Sequence, residues 1–401
     1  MVTALLLCAS TAEVGAQKAF KPIKEYIKSG KNLDKAAAAV KTLEADSTFT
    51  KRAELLNLGF LVQDKMYQTE NEKIYLKQKY DTAAFFASIY SMFDYASRCY
   101  DAEKVADNKG KIRIKYSYKN RDKLLPIYPN LRTAGIHYYN KSNFAEAARY
   151  FTMYIVMGES EFLTTAKTPP SQEYIPQVAY MTMVSYSAIR KYSEALLYTE
   201  RAMRDSSLRN YALENAANAY NNLDSTLMYE ETLTMGVKEY PLNPYFFTSL
   251  VDVYVSKKDY NGVVKLSDSL LNIYPEKNVF KFGKSIGLLR LEDYEGCIAL
   301  SDELIKADSV NAEVYFNAGI SYVNMAKRIK PESTMPIQQY RAAKKKSQEL
   351  YKKALPYMEK YRDLLPDRPN RWALALYNIY FELNMEKEFK QMEKIVSLKI
   401  S

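Results

Sequence analysis

The feature that most constrains this chain is a period of 34 residues, repeated without a gap for four cycles between Pro176 and Ser309. Tyr192, Thr226, Tyr260 and Tyr294 stand in register, as do Tyr186, Tyr220, Tyr254 and Leu288. Ala202, Gly236, Leu270 and Leu304 form a third series, and Ser207, Pro241, Pro275 and Ser309 close each cycle. Asp259-Tyr260-Asn261-Gly262 returns as Asp293-Tyr294-Glu295-Gly296, and Leu266-Ser267-Asp268 returns as Leu300-Ser301-Asp302. Apolar residues at helical spacing inside such a period describe a helix–turn–helix unit. One such unit cannot bury its apolar face alone, so the units must stack. Composition agrees, because 12 Gly and 14 Pro in 401 residues leave few breaks in helix.

On these residues the chain resembles tetratricopeptide-repeat proteins. Leu131 to Tyr154 carries the fullest match, with Gly135 at the eighth position, Tyr138 at the eleventh, Phe144 at the seventeenth, Ala147 at the twentieth and Phe151 at the twenty-fourth. Tyr186, Tyr192, Ala195 and Ala202 take the same roles in the next unit, Ala318-Gly319 and Tyr322 open a later one, and Trp372 opens the last. The resemblance implies an all-α fold, a right-handed α-α superhelix (TPR solenoid) of about 7–9 helix pairs with two insertions. It covers residues 128–398 well and 17–127 poorly. Lys281, Lys284 and Ser285 fall where apolar or small residues are expected, which predicts a rotated helix there. Tyr75 to Ala83 and Gln348 to Tyr357 further resemble a group of exported tetratricopeptide-repeat proteins of Bacteroidota, to which no molecular activity is attached.

The chain then divides into three stretches. Residues 1–16 are expected to be a cleaved export signal: Val2 to Ala9 is apolar but too short to span a membrane, and Val14-Gly15-Ala16 supplies small residues before Gln17. Residues 17–127 read as divergent helical repeats: Lys18 to Ser29, Leu33 to Ala45, Thr50 to Gln68 and Thr82 to Val105, with a charged connection from Glu70 to Lys79. A helix is expected from Asn120 to Tyr128. Residues 128–401 form the repeat region, with an insertion near 158–171 expected to hang as a loop around Pro169-Pro170. The second insertion, 327–349, is expected to prolong a basic helix that runs on to Leu364.

Net charge is +10, but it is concentrated. Lys104 to Lys123 carries eight basic residues against two acidic ones, and Lys327 to Lys353 carries nine against two. The two stretches sum to +13, leaving about −3 for the rest. Of three cysteines, Cys8 lies in the signal, while Cys99 and Cys297 are too far apart in a stack to pair, so two unpaired thiols are expected.

Nothing in the sequence assembles a catalytic constellation. His137 is the only histidine and stands beside Tyr138 in a repeat helix, so it is expected to pack and not to serve a Ser-His triad, and no second histidine is present to share a metal site. No glycine-rich phosphate loop follows a strand. No enzyme activity, cofactor or metal is expected.

The resemblance instead implies a concave face lined by the first helix of each unit. Carried over residue by residue, it comprises Arg132, Ile136 and Tyr139, then Tyr180 and Val184. It continues with Tyr211, Glu214, Asn218 and Asn222, then Tyr245, Thr248 and Asp252, and last Phe316, Ile320 and Val323. Glu214 and Thr248 occupy the positions where the family's carboxylate clamp needs its basic and amide groups, so that clamp is absent. The implied partner is a peptide or extended protein segment of the cell envelope, with the protein exported and periplasmic or outer-membrane-associated. For Phe316, Ile320 and Val323 a second expectation is plain packing against the basic helix. The alternative function is peripheral attachment to anionic lipid or glycan through the basic stretches, with Arg341, Lys344, Lys345 and Lys346 on the basic helix. Nucleic acid fits less well, because the basic stretches lack interleaved aromatics.

Overall fold

A computed structural model describes residues 17–46, 49, 51–106, 110–329, 332 and 334–397. The expected export signal and Cys8 lie outside these residues. Every regular element among the described residues is a helix. In chain order they are α1 (17–29), α2 (Leu33–Ala45), α3 (Arg52–Tyr75), α4 (Thr82–Glu103), α5 (Ser117–Leu124), α6 (Pro129–Asn140) and α7 (Phe144–Glu159). Next come α8 (Glu161–Thr164), α9 (Ile175–Ala188), α10 (Tyr192–Leu196), α11 (Thr199–Ala202), α12 (Arg209–Asn222) and α13 (Thr226–Glu239). The series ends with α14 (Pro244–Ser256), α15 (Tyr260–Leu271), α16 (Asn278–Arg290), α17 (Tyr294–Ala307), α18 (Ala312–Arg328), α19 (Ile337–Leu364), α20 (Pro369–Glu382) and α21 (Glu386–Ser397). Two compact units divide at Tyr229/Glu230.

The 34-residue period acts first on the turn inside each pair. Ser142, Arg190, Asp224, Lys258, Glu292 and Asn384 all hold left-handed backbone, with φ between 53° and 66°. Arg190, Asp224, Lys258 and Glu292 stand in the 34-residue register. Around Lys258, the Lys258 N–H bonds Val255 O at 3.0 Å and the Asp259 N–H bonds Tyr254 O at 2.9 Å. That pair of bonds is the Schellman closure, which satisfies carbonyls a helix end would otherwise leave orphaned. Asp259 then serves the next helix, its Oδ1 accepting from Gly262 N at 2.8 Å; Asp293 does the same for Gly296 at 3.0 Å. One aspartate thus ends one helix and caps the next. Glycine follows three residues on because a Cβ on Gly262 would lie 2.4 Å from Asp259 Oδ2.

Small and aromatic positions then set how closely helices approach. In the first unit a Cβ on Gly135 of α6 would stand 2.3 Å from the ring of Phe151 of α7, which is fully buried. Tyr138 stacks on Tyr150 at 5.4 Å, and Tyr128 stacks on Tyr154 at 4.4 Å while donating to Tyr154 O. Thr152 of α7 shares its hydroxyl with Tyr186 and Tyr198 of the next pair, at 3.2 and 3.0 Å. Aromatic bulk therefore fills the space between helices while one polar end of each ring finds a partner.

The irregular N-terminal pairs share this core: one buried cluster runs from Phe20 and Ile23 through Phe60, Phe93 and Leu131 to Ala216. Three expectations need correction here. Helix α3 does not stop at Gln68 but continues to Tyr75. Its extra turns are held by Glu70, which accepts from Lys73 Nζ at 2.6 Å and from Asp81 N at 2.8 Å. The helix expected from Asn120 starts at Ser117 and ends at Leu124, and its start is fixed by a buried carboxylate. Glu103 accepts the backbone N–H groups of Lys115, Tyr116 and Ser117 at 2.8 to 3.0 Å, together with the Ser117 hydroxyl. The insertion near 158–171 does not hang free: α8 buries Phe162 and Leu163, and Gln172 donates to Gly158 O at 2.7 Å. The pair begun by α9 has a broken second half, α10 and α11.

In the second unit Phe247 of α14 meets Phe280 of α16 edge-on at 4.8 Å, and Gly283 admits the Phe247 ring. Helix α16 buries Phe280, Gly283, Ser285 and Gly287. Lys281 and Lys284 turn outward from that line to pair with Glu303 and Asp268. The lysines at apolar repeat positions are thereby paired at the margin of the helix. A second apolar cluster joins α18 to α21 through Tyr315, Met358, Tyr361, Trp372 and Tyr380. No helix of the described residues is long and apolar enough to cross a membrane.

Candidate functional site

The face carried over from the repeat resemblance falls into two parts, one in each compact unit. In the first unit it is built by α6, α9 and α12, the first helices of successive pairs. Tyr139 of α6 is half-buried, with Phe144 edge-on at 5.5 Å. Tyr180 of α9 lies 6.4 Å from Tyr211 of α12, and Tyr211 is 53% exposed. Burial raises the Tyr180 phenol above its ordinary pKa, and Tyr139, Glu214 and Tyr211 add to the rise. The phenol is therefore neutral at physiological pH and can donate a hydrogen bond.

Along α12 the spacing four, three and four places Tyr211, Asn215, Asn218 and Asn222 on one stripe. Asn218 and Asn222 are exposed. Asn222 Nδ2 donates to Asn218 O at 2.8 Å and to Asn218 Oδ1 at 3.1 Å. Asn215, which sequence reasoning missed, accepts from Ser187 Oγ at 2.9 Å and ties α12 to α9. At the other edge Arg132 lies over the Tyr174 ring at 3.9 Å, a cation–π contact. The result is an aromatic line of three tyrosines beside a column of amides. Amides match the donors and acceptors of an extended backbone, and tyrosine faces match its side chains.

The second unit presents these positions differently. Tyr245 is half-buried with Phe246 edge-on at 5.4 Å, and Thr248 is exposed but returns its hydroxyl to Pro244 O at 2.9 Å. Asp252 is exposed, although nearby protein removes enough water to raise its carboxyl above the usual value. Phe316 is not open: Tyr361 of the basic helix lies 5.1 Å from its ring and the Arg371 guanidinium lies 4.2 Å over it. Glu313 holds that guanidinium at 2.7 Å. Val323 is buried and Ile320 packs against the same cluster. These three residues pack against the basic helix.

The two basic stretches also differ. In the first, Lys104 pairs with Glu161 at 2.7 Å and Lys123 pairs with Asp64. In the second, Arg341, Lys344, Lys345 and Lys346 are all exposed on α19, and among the described residues no carboxylate pairs with them.

The potential reactive groups are His137, which is half-buried, and two buried thiols. His137 contacts the rings of Phe86 and Tyr138, each at 5.3 Å, and burial, helped by Lys141, lowers its pKa. It borders an open hollow of about 600 Å³ with Lys79, Asp81, Thr82 and Lys141. Cys99 and Cys297 are free and buried; burial pushes the Cys99 thiol up to about 12 and raises Cys297 as well. Among the described residues no group of His, Cys, Asp and Glu could hold a metal ion.

The 34-residue register, the doubled aspartate turn and the small-to-aromatic packing make this an all-α chain of tetratricopeptide-type helix pairs. No protein-family model matches the chain, and no curated protein matches it. It is similar to solved structures at low identity. A tetratricopeptide repeat protein from Parabacteroides merdae is 16% identical, covering 67% of this chain and 97% of its own, with a TM-score of 0.38. The C-terminal part of a TPR repeat-containing protein from Cytophaga hutchinsonii is 11% identical, covering 65% and 92%, with a TM-score of 0.43. A TPR repeats protein from Bacteroides fragilis is 17% identical, covering 67% and 98%, with a TM-score of 0.31.

Proposed function

We propose that the protein is a non-catalytic scaffold that holds an extended segment of a partner protein along the α6–α9–α12 face. The supporting observation is the exposed Tyr211 at the end of the Tyr139–Tyr180–Tyr211 line, with Asn218 and Asn222 continuing the same stripe. Exposed tyrosines beside amides recognise a polypeptide with modest ordering cost, because the rings are rigid and both ends of the interaction are amphipathic. We place the protein in the cell envelope, after export, on the apolar and small-residue pattern of residues 1–16.

A display library of random peptides, selected on the full mature chain, supplies a defined probe. Binding of the selected peptide is then measured by fluorescence anisotropy against the parent and a Tyr180→Ala/Tyr211→Ala variant. Central aromatic anchors are worth about 2 kcal/mol, so the variant is expected to bind roughly 30-fold more weakly. Equal affinity for parent and variant would remove the face from the account.

A further inference from the structure

We propose that the first ten residues of α19, Ile337 to Lys346, form a docking element for anionic lipid bilayers. Two hydrogen bonds mark where α19 leaves its neighbours. Ser347 Oγ donates to Ala326 O near the C-terminal end of α18, at 3.3 Å, and Gln348 Nε2 donates to Glu382 O at the end of α20, at 3.0 Å. Helix α18 ends at Arg328, two residues beyond Ala326, so the residues of α19 before about Lys345 run past the ends of both packed helices. At about 1.5 Å per residue these eight residues project by roughly 12 Å. Of the ten residues Ile337 to Lys346, eight are exposed, and Tyr340 and Ala343 are half-buried.

Among the described residues no carboxylate pairs with the charge on this ten-residue stretch. It carries Arg341, Lys344, Lys345 and Lys346 and no acidic residue. Some cations of the second unit do reach carboxylates, among them half-buried Lys281 with Glu303, half-buried Lys284 with Asp268 and exposed Arg328 with Glu292. Four like charges within two turns repel one another, and only an external anion offsets that repulsion.

The axial order of residues selects among anions. Ile337, 63% exposed, occupies the tip. Arg341 follows about 6 Å behind it, and Lys344 to Lys346 follow about 10–14 Å behind. An apolar tip ahead of a belt of cations reproduces the layering of a bilayer surface, with acyl boundary beneath phosphate headgroups. A soluble polyanion would engage the belt and leave Ile337 in water. This inference concerns the second unit and stands apart from the peptide-binding face of the first.

The test is flotation of the full mature chain with vesicles of phosphatidylglycerol and phosphatidylcholine in a one-to-two mixture, against vesicles of pure phosphatidylcholine. The chain should float with the first and not the second, and moderate salt should release it. Arg341→Gln/Lys344→Gln/Lys345→Gln/Lys346→Gln should lose about 100- to 1,000-fold in partitioning, from the attraction of four cations to an anionic surface. Ile337→Asn should lose about 5- to 10-fold. All five side chains are exposed, so retained circular dichroism is expected to show that these variants fold. Equal flotation with both vesicles, or a four-cation variant that floats like the parent, would overturn the proposal. Parent-like flotation of Ile337→Asn would also overturn it, reducing the contact to plain attraction for polyanions.

Discussion

Replacing Glu103 by Ala tests how the irregular N-terminal region is tied to the repeats. The Glu103 carboxylate is 5% exposed and accepts four hydrogen bonds, three from consecutive backbone N–H groups and one from a hydroxyl. The Lys115 and Tyr116 bonds are partly buried, so water can replace the carboxylate there. The Ser117 N–H and hydroxyl are buried, and each unsatisfied donor costs about 1–3 kcal/mol. The expected loss for Glu103→Ala is therefore about 2–6 kcal/mol. Glu103→Gln keeps one carbonyl oxygen as an acceptor but turns an amide donor toward donors, so it should fall between Ala and the parent. The assay is urea unfolding by circular dichroism, paired with hydrogen exchange over residues 110–125. Exchange isolates the local event even where the two compact units unfold separately. The reasoning fails if Glu103→Ala lies within about 1 kcal/mol of the parent and the amides of 115–117 stay protected.

Lys258→Gly should stabilise the second unit by up to about 1 kcal/mol in thermal or urea unfolding, because it relieves a left-handed residue at φ 59° at some cost in unfolded-state entropy. The same change at the exposed Lys265, in the middle of α15, should destabilise it. Cys99 and Cys297 should resist iodoacetamide in the native chain at neutral pH and react once urea exposes them, since burial raises both thiols. For His137 the folded pKa lies below the unfolded value of 6.5, so the unfolded chain binds the proton first as pH falls. Its contribution to stability is complete above the unfolded pKa and declines as pH drops through it toward the folded pKa. Unfolding free energies of the parent and His137→Gln, measured across that window, should converge on acidification.

Much of the architecture was legible because period and packing share a cause. Tyr186, Tyr220, Tyr254 and Leu288 recur every 34 residues at the position whose carbonyl the Schellman turn closes on, so the turn recurs with the same period as the bulky side chains. Asp259 and Asp293 recur because one side chain caps the following helix. What was not legible depends on contacts between residues far apart in sequence. Nothing local marks Glu103 as the anchor of α5, fourteen residues on, or identifies Phe162 and Leu163 as core residues inside an insertion. Phe316 sits at a groove position, but its cover comes from Arg371, held by Glu313, 58 residues away. Tyr139, Tyr180 and Tyr211 stand at the twelfth, fifth and second positions of their units, so the 34-residue register does not align them and their line emerges only in three dimensions. The two basic stretches look alike in sequence; Asp64 and Glu161 reach Lys123 and Lys104 of the first and Glu292 reaches Arg328 of the second, while among the described residues no carboxylate reaches Arg341 or Lys344 to Lys346.

The measurement that bears most directly on the proposed face is site-specific photocrosslinking of a selected peptide. A benzophenone amino acid is placed in turn at position 218, on the α12 stripe, and at position 200, an exposed position on α11. The account predicts strong crosslinking from position 218, competed by unlabelled peptide and abolished by Tyr180→Ala/Tyr211→Ala, with little from position 200. Equal crosslinking from both positions, or crosslinking from 218 that survives loss of the two tyrosines, would contradict it.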